Sequence, residues 1–217
     1  WDIEHGATGF AQGSGTMVTG TTTNPHNLTG LTANTTYDFY VRADCGAVDG
    51  TSTWAGPFSF TTPCLTISTF PFTENFEAGS PTLTCWSQIQ EVGSGSWSIN
   101  TGAGGGSISS ANGGTQNARF VSASGSNSPI TKLVSPLMDL SSLTTPQMTF
   151  YYGQEDWFGD QNETKVYYST DGGSTWVEIA HYTSDVDSWT EETLTLPNPS
   201  ATYMIAFEGI NNYGRAN

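Results

Sequence analysis

Short stretches near the start of the chain alternate apolar and polar residues, which is the pattern of β-strands with one buried face. Residues 36–43 alternate with a period of two, and residues 54–62 repeat the pattern with a proline near their start. The apolar face of the first stretch consists of Tyr37, Phe39, Val41 and Ala43. The polar stretch 45–50 between them is typical of a loop. Residues 1–62 are therefore predicted to form strands.

The rest of the chain carries similar stretches, separated by turns rich in glycine, serine and asparagine. The longest of these loops is predicted over residues 102–114. Strands are predicted over residues 118–123, 131–136, 147–152, 164–169, 176–181, 190–196 and 203–208. This number of strands at this spacing is typical of a jelly roll.

Composition supports an all-β chain. Aromatic residues make up 12% of the 217 residues, and few stretches combine Leu, Ala, Glu and Lys at helical spacing. Aromatic and β-branched side chains suit the core of a β-sandwich. The length suffices for two β-domains of ordinary size, and no long helix is expected.

The charge balance is strongly acidic and argues against two classes of partner. Twenty Asp and Glu residues against five Lys and Arg residues give a net charge of −15 at pH 7. Such a surface repels phosphate backbones and anionic lipid, so nucleic acid is not an expected partner. No apolar run approaches the roughly 18 residues of a membrane span, so membrane insertion is not expected. The Asp and Glu residues are instead expected to keep the chain in solution or to cluster around a hard cation such as Ca²⁺.

A turn before the first predicted strand has the form of a tyrosine corner. Leu31 is followed by a polar turn and then by Tyr37 at the strand entry. In such a corner the phenol bonds back to the upstream backbone of a Greek-key sandwich. With the strings YDFYVRADCG, STWAGPFSFTT and IEHGATGFAQGSGT, the segment resembles the fibronectin type III family. The resemblance implies a partial Greek-key sandwich over residues 1–62 that lacks its first strands, followed by a linker over residues 63–70.

Residues 71–217 resemble the MAM family and the related galactose-binding-like carbohydrate modules. The resemblance rests on an ordered set of motifs: FTENFEAG followed by CW, then WSI, LVSPLMDLSS, MTFYYG, KVYYSTDGGSTW, WTEETLTLP and IAFEGIN. It implies a jelly-roll β-sandwich that lacks its last strand, because a typical member ends with a further strand carrying Ile-Asp-Asp.

The MAM resemblance also implies a structural Ca²⁺ site. In the family, the glutamate of a Phe-Glu pair, here Glu77, often ligates an ion that ties the first strand to the last. Calcium prefers hard oxygen ligands, which carboxylates, amides and backbone carbonyls supply. The other ligand positions implied are Asn75, Gly79, Gln116 and Asn117. The alternative is that Glu77 caps a turn.

The loop 154–163 collects acidic residues around two aromatic ones. A ring beside carboxylates or amides is typical of sugar sites, because the ring stacks on the sugar while polar groups bind its hydroxyls. The predicted glycan contacts are Trp157, Phe158, Asp156, Asp160 and Glu155. A second cation site and a purely structural loop are the alternatives. Glu155 and Asp160 also match the acid and base of a glycosidase, but no other pattern supports that interpretation.

No residue pattern predicts catalysis, so the chain is not expected to be an enzyme. Residues 169–176 fit the Asp-box pattern, in which Asp171 binds turn amides and shapes a hairpin. Sialidases carry several such boxes and this chain has one, so a structural role is expected. The three histidines, His5, His26 and His181, lack metalloprotease spacing, and no serine lies in a nucleophile elbow.

Three cysteines allow one disulfide in an oxidising compartment and leave one thiol. The preferred pairing is Cys45–Cys64, which joins the last fibronectin loop to the exit strand, as in bacterial variants of that family. The alternative is Cys64–Cys85, which resembles a bridge at the start of MAM domains. Spacing alone does not decide between them.

The expected function is that of a non-catalytic binding or adhesion module in a larger secreted or cell-surface bacterial protein. The expected partners are a glycan or a surface protein, together with neighbouring domains of the same polypeptide. Proteins with such modules often carry a sorting domain for type IX secretion. Two alternatives stay open: an accessory segment of a secreted protease or glycosidase whose catalytic domain lies outside this chain, and a spacer in a repeat array.

Overall fold

The structure is a computed structural model that contains two compact units. The units are Trp1–Leu65 and Thr66–Asn217. Apart from the side chain of Trp157, the residues that the structure describes are 1–121, 128–157 and 159–212. Regular structure in this part is nearly all antiparallel β-sheet, so the all-β prediction is confirmed.

Residues 66–70 of the predicted linker 63–70 lie in the second unit. The backbone N–H of Ile67 donates to the carbonyl of Leu137 at 2.9 Å, and the carbonyl of Ile67 accepts from Asp139 at 2.8 Å. Phe70 also packs against the core of the second unit. Apolar side chains in this stretch therefore draw it into the second unit.

The first unit is a single four-stranded antiparallel sheet. Its strands are β1 (Asp2–Ala7), β2 (Thr16–Val18), β3 (Thr36–Arg42) and β4 (Ala55–Thr61), in the spatial order β2-β1-β3-β4. A four-residue helix, α1 (Gly46–Asp49), lies between β3 and β4. The two alternating stretches of the sequence correspond to β3 and β4.

The two faces of this sheet differ in character. One face carries apolar side chains, which are Ile3, Val18, Tyr37, Phe39, Val41, Phe58 and Phe60. None of them is buried, and Phe58 is 50% exposed. The other face carries Asp2, Glu4 and Asp38, which are the only buried residues within 1–65, a range that the structure describes completely.

The buried acids hold loops against the sheet. The carboxylate of Glu4 accepts the backbone N–H of Gly13 at 2.8 and 2.9 Å and that of Gly15 at 2.6 Å. Asp38 accepts the backbone N–H of Gly9 and the hydroxyl of Ser59. Asp2 accepts the backbone N–H of Gly20 and the guanidinium of Arg42. Because a buried charge is costly unless it is hydrogen-bonded, these contacts are what makes the burial tolerable.

The predicted tyrosine corner is confirmed. The backbone N–H of Thr32 donates to the hydroxyl of Tyr37 at 2.9 Å, five residues upstream of the ring. The ring of Tyr37 also stacks on that of Phe60, with centroids 5.9 Å apart. The corner thus fixes the point at which the chain enters β3.

The second unit contains eleven strands among the residues described. They are β5 (Ser87–Val92), β6 (Ser96–Asn100), β7 (Asn117–Val121), β8 (Ile130–Val134), β9 (Gln147–Gln154), β10 (Asp156–Trp157), β11 (Asp160–Gln161), β12 (Glu163–Ser169), β13 (Val177–Tyr182), β14 (Val186–Thr195) and β15 (Met204–Ile210). A short 3₁₀ helix, Leu83–Cys85, precedes β5. Each of the seven strands predicted in this region corresponds to one of them.

These strands form one large sheet and several ribbons. The large sheet has the order β13-β12-β15-β8-β5. In the described residues, β14 pairs with β9, β6 with β7 and β10 with β11 as two-stranded ribbons. The antiparallel sheets agree with the predicted β-sandwich class.

The core of the second unit is apolar and aromatic. Its buried members are Met138, Leu140, Val166, Tyr168, Leu196, Tyr203 and Ile205. Tyr168 and Tyr203 stack with their ring centroids 5.7 Å apart, and the hydroxyl of Tyr203 donates to the carbonyl of Pro197 at 3.1 Å. The buried phenol is therefore satisfied, as burial of a polar group requires.

Candidate functional site

The predicted glycan loop forms a small hairpin made of β10 and β11. Asp156 pairs with Gln161 and Trp157 with Asp160. Asp156, Gly159 and Asp160 are exposed. Phe158 and the side chain of Trp157 lie outside the described residues. The hairpin thus presents two carboxylates beside the position of a tryptophan.

Buried Glu155 anchors this hairpin at its base. Its Oε1 atom accepts the backbone N–H of Ser107 at 2.5 Å and that of Ile108 at 3.0 Å. A Cβ added to Gly106 would lie 1.5 Å from the other carboxylate oxygen, so the loop can approach only with glycine there. In this structure Glu155 supports the hairpin, and the ligand contact predicted for it stays a prediction.

Two further contacts fix the hairpin. The backbone N–H of Asp156 donates to a carboxylate oxygen of Asp185 at 2.9 Å. The backbone N–H of Gly159 donates to Oδ1 of Asp156 at 2.8 Å. A hairpin restrained by such bonds loses less conformational entropy on binding a ligand than an unrestrained loop does.

The predicted calcium ligands meet at one corner of the second unit. Glu77 accepts the hydroxyl and the backbone N–H of Thr115, both at 2.5 Å, and the backbone N–H of Gln116 at 2.8 Å. These bonds, led by that of the Thr115 hydroxyl, lower the pKa of Glu77. Oδ1 of Asn75 accepts the backbone N–H of Glu77 at 3.0 Å. Glu77 thus joins its own turn to the start of β7.

One amide oxygen at this corner has no hydrogen-bond partner among the described residues. Oδ1 of Asn117 is buried and unpaired, while its amide nitrogen donates to the carbonyls of Gly102 and Ala118. Four of the five predicted ligands line the same cleft, and Gly79 does not. Among the described residues, no group of three or more His, Cys, Asp or Glu side chains is placed to hold a metal. A cation here would therefore depend on amide and carbonyl oxygens besides Glu77.

Two connected clefts run along one edge of β9, and we call them together the β9 groove. Their volumes are about 280 and about 450 Å³. They are continuous because they share lining residues, which are Glu74, Phe76, Thr149, Phe150 and Phe207. The first cleft is mostly apolar, whereas the second also contains the amides of Asn75, Asn112, Gln116 and Asn117.

The Asp-box has the structural role that its pattern predicts. Asp171 accepts the backbone N–H of Thr175 at 2.9 Å, the hydroxyl of Thr175 at 2.7 Å and that of Ser169 at 2.7 Å. The backbone bond of Thr175, followed by the two hydroxyl bonds, lowers the pKa of Asp171 to about 2. Gly172 and Gly173 adopt positive φ in the turn between β12 and β13. The carboxylate is committed to shaping this hairpin.

The three histidines lie apart from one another in the sequence, and each has different neighbours. Nδ1 of His26 lies 2.9 Å from the hydroxyl of Thr21. Nε2 of His181 lies 2.6 Å from a carboxylate oxygen of Glu163, which makes an ion pair when the ring is protonated. His5 lies on β1 opposite Phe39.

The preferred disulfide is wrong. Cys45 is a free, exposed thiol, and Cys64 and Cys85 are disulfide-bonded, which is the alternative pairing. Cys45 instead directly precedes α1, and its backbone N–H donates to the carbonyl of Gly50 at 2.9 Å. The local turn, and not a crosslink, therefore closes this loop.

An unpredicted charged cluster lies on the large sheet. Lys132 is 4% exposed and forms ion pairs with Glu91 and Glu208. Its ammonium also lies 4.4 Å from the ring centroid of Tyr167. Burial raises the pKa of Glu208, whose carboxylate also accepts the hydroxyl of Tyr167 at 3.1 Å. The lysine offsets part of the cost of burying this carboxylate. A lone lysine in the apolar string ITKLV is the one sequence signal for it.

No family model matches the chain, and no curated protein matches it. The fibronectin type III and MAM resemblances therefore stay predictions. No helix among the described residues has the length and apolar character of a membrane span.

Three solved structures show a partial similarity to this chain. The K1 adhesin domain of Lys-gingipain from Porphyromonas gingivalis W83 is 22% identical, with a TM-score of 0.42 over 66% of this chain and 90% of that one. TmCBM61, solved with β-1,4-galactotriose, is 12% identical, with a TM-score of 0.43 over 66% and 92%. A carbohydrate-binding module of the β-sandwich superfamily is 16% identical, with a TM-score of 0.45 over 84% and 69%. These values are too low to transfer a function.

Proposed function

We propose that this chain is a non-catalytic binding module of a secreted or cell-surface protein and that it contacts a glycan through the β10–β11 hairpin. The observation that carries the proposal is a pair of exposed carboxylates, Asp156 and Asp160, on a hairpin whose base is anchored by Glu155 and Asp185. In the sequence, Trp157 directly follows Asp156. Carboxylates beside an aromatic residue suit the hydroxyls and the apolar face of a sugar.

Two features support the non-catalytic and extracellular parts of this proposal. The disulfide formed by Cys64 and Cys85 suits an oxidising compartment. The carboxylates of Glu155, Glu77 and Asp171 are occupied by hydrogen bonds within the fold, which suits structural rather than acid–base roles.

Glycan-array binding tests the proposal. The intact chain is expected to bind at least one glycan class, and Trp157→Ala is expected to lower that binding at least tenfold. Tyr151→Ala is the matched control, because Tyr151 is 48% exposed on β9 outside the hairpin. A blank array for the intact chain, or equal losses in the two variants, contradicts the glycan assignment.

We also propose a structural Ca²⁺ at the Glu77 corner, where the unpaired Oδ1 of Asn117 supports a cation. Calcium is expected to raise the melting temperature of the second unit, and Glu77→Gln is expected to remove the increase. The control is Glu191→Gln, on the exposed side of β14. An identical melting temperature with calcium and with chelator would sink this proposal.

A further inference from the structure

Arg119 is a cation without an acidic partner in a strongly acidic chain. All twenty Asp and Glu residues lie in the part of the chain that the structure describes, and none of them forms an ion pair with Arg119. The other described lysine and arginine residues, Arg42, Lys132 and Lys165, each have a carboxylate partner. A charge that is partly withdrawn from water is costly unless a counter-charge or hydrogen bonds compensate it. Arg119 is therefore suited to an anion from outside the chain.

Strand geometry places the side chain of Arg119 on the outer face of β7. The next residue, Phe120, is fully buried, with its ring centroid 5.5 Å from that of Trp97, so Arg119 points to the opposite face. Ser98, which pairs with Arg119 on β6, is exposed on the same face. The arginine itself is half-buried, and its Nε has no hydrogen-bond partner among the described residues. The described part of the fold thus leaves this guanidinium without a counter-charge on a face that solvent reaches.

The glycine-rich loop 102–108 lies against this guanidinium. A Cβ added to Gly104 would lie 2.6 Å from Nη1 and 2.9 Å from Cζ of Arg119. Gly104 also has a φ of +81°, a conformation that residues with a side chain rarely adopt. The close approach of the loop backbone to Arg119 therefore requires glycine at this position.

The tip of this loop carries backbone N–H groups beside the guanidinium. Gly104, Gly105 and Gly106 are exposed, and none of their N–H groups donates to an acceptor within the described residues. The base of the loop is closed, because the backbone N–H of Ala103 donates to the carbonyl of Ile108 at 2.8 Å. Successive N–H groups of a turn form concave sites for anions. The tip therefore adds neutral donors to the charged donors of the arginine.

This combination of donors fits a carboxylate. A guanidinium binds a carboxylate through two parallel N–H···O bonds, which are shorter and stronger than bonds between neutral groups. Backbone N–H groups can bind the lone pairs that remain. The net charge of −15 repels a ligand with many closely spaced charges, such as a nucleic acid or a densely sulfated glycan. The site is thus suited to a ligand that carries isolated carboxylates.

The Arg119 site lies next to the β10–β11 hairpin. Gly104 contacts Arg119, and Gly106 lies against the carboxylate of Glu155. These two glycines are two residues apart, so their Cα atoms are separated by at most about 7 Å. Glu155 directly precedes β10. A glycan bound at the hairpin therefore has the guanidinium within its reach.

We propose that Arg119 and the loop 102–108 form a subsite for the carboxylate of a sugar acid, such as a uronic or sialic acid, in a glycan bound at the β10–β11 hairpin. The guanidinium holds the carboxylate in a bidentate ion pair, and the N–H groups of the loop tip bind its oxygens. The exposed carboxylates of the hairpin accept hydrogen bonds from the sugar hydroxyls. This inference rests on the proposed function and names its ligand class, an acidic glycan.

Calorimetric titration with matched sugars tests the proposal. The sugars are trigalacturonate and sialyllactose, each compared with a form in which the carboxylates are reduced to alcohols. The chain is expected to bind at least one acidic sugar at least about tenfold more tightly than its reduced form, because bonds between charged groups are lost on reduction. Which of the two pairs shows the difference identifies the sugar acid.

Arg119→Gln is expected to remove this preference and to leave the affinity for the reduced form unchanged. Lys165→Gln is the matched control, because it removes the same charge from β12, where the side chain is 23% exposed and pairs with Glu178. The control is expected to keep the full preference for the acidic sugar.

Amide NMR spectra of the unaltered chain locate the carboxylate without any substitution. The acidic sugar is expected to shift the resonances of Gly104, Gly105 and Gly106. The reduced form is expected to shift those of residues 156–161 and to leave the loop tip unchanged.

The outcomes separate this subsite from the hairpin. Equal affinity for the acidic and reduced forms, with binding that still depends on Trp157, overturns the subsite and leaves the hairpin assignment standing. A preference that survives in Arg119→Gln also overturns the subsite, as does binding of triglutamate in place of every sugar acid. Absence of binding by all four sugars overturns the acidic subsite, and a blank glycan array overturns the hairpin assignment as well.

Discussion

The two units of this chain differ in whether they bury apolar side chains. In the first unit, the only buried residues are the acids Asp2, Glu4 and Asp38, and the aromatic face of the sheet lies open. In the second unit, the core is apolar, with Tyr203 and Val166 completely buried. Both units are antiparallel β-structure, so strand content alone does not reveal this difference.

Two kinds of interaction stabilise the loops and strands of these units. The first unit relies on carboxylates that collect backbone N–H groups, each contributing about 1 kcal/mol net. The second has carboxylate bonds of the same kind, such as those of Glu155, and adds the removal of apolar area from water, at about 25 cal/mol per Å². The carboxylate bonds weaken when the carboxylates are protonated, whereas the burial of apolar area hardly changes with pH.

Acid is expected to unfold the first unit before the second. The amides of Gly20 and Gly9 lower the pKa of Asp2 and Asp38, and backbone bonds outweigh the effect of burial on Glu4. A lowered pKa contributes stability that is present above the unfolded value, near 4, and lost as the pH falls through the folded value. The second unit also has carboxyls with a lowered pKa, Glu77 and Asp171, but the raised pKa of its buried Glu208 acts in the opposite direction, and its apolar core does not titrate.

Amide NMR spectra recorded from pH 6 to pH 2 check this order. Resonances of residues 1–65 should lose dispersion at a higher pH than those of the second unit. Simultaneous loss, or earlier loss in the second unit, contradicts the contrast.

Tyr203→Ala is expected to destabilise the second unit by about 3–5 kcal/mol, because it leaves a cavity in a close-packed core. Urea denaturation followed by hydrogen exchange in β12 measures the loss. Val177→Ala is the control, since Val177 is 50% exposed. A loss below about 1 kcal/mol for Tyr203→Ala would mean that the core relaxes freely.

Glu4→Gln is expected to destabilise the first unit by about 1–3 kcal/mol, because it weakens bonds to the amides of Gly13 and Gly15. The exchange rates of those two amides measure the effect directly. Asp49→Asn, at an exposed position of α1, serves as the comparison. Unchanged protection of both glycine amides in Glu4→Gln would show that the carboxylate does not hold the loop.

Phe58→Ser is expected to change stability by no more than about 0.5 kcal/mol, because half of the ring is already in water. The same substitution at Phe120, which is fully buried, should cost about 3 kcal/mol or more. Parallel denaturation curves of the two variants measure the difference. A large loss in Phe58→Ser would mean that the aromatic face contributes to folding despite its exposure.

The sequence predicts the strands well because their signal is local. The period-two pattern locates β3 and β4, and the Leu31–Tyr37 spacing predicts the hydrogen bond of the corner. The Asp-box likewise predicts the bonds of Asp171 to its own turn. In each case, the partners lie within a few residues of one another.

The candidate site is less predictable because its contacts join distant segments. Glu155 binds amides 47 and 48 residues away, which no spacing rule anticipates. The ion pairs of Lys132 depend on the register of three strands. The disulfide choice also depends on three-dimensional proximity, which spacing in the sequence does not give.

The free thiol of Cys45 offers a chemical handle on the contrast between the units. Since the other two cysteines are in a disulfide, a maleimide dye would attach at this one position. Native tryptophans occur in both units, so intrinsic fluorescence mixes their signals. A dye at Cys45 would report on the four-stranded sheet of the first unit alone, without any engineered cysteine.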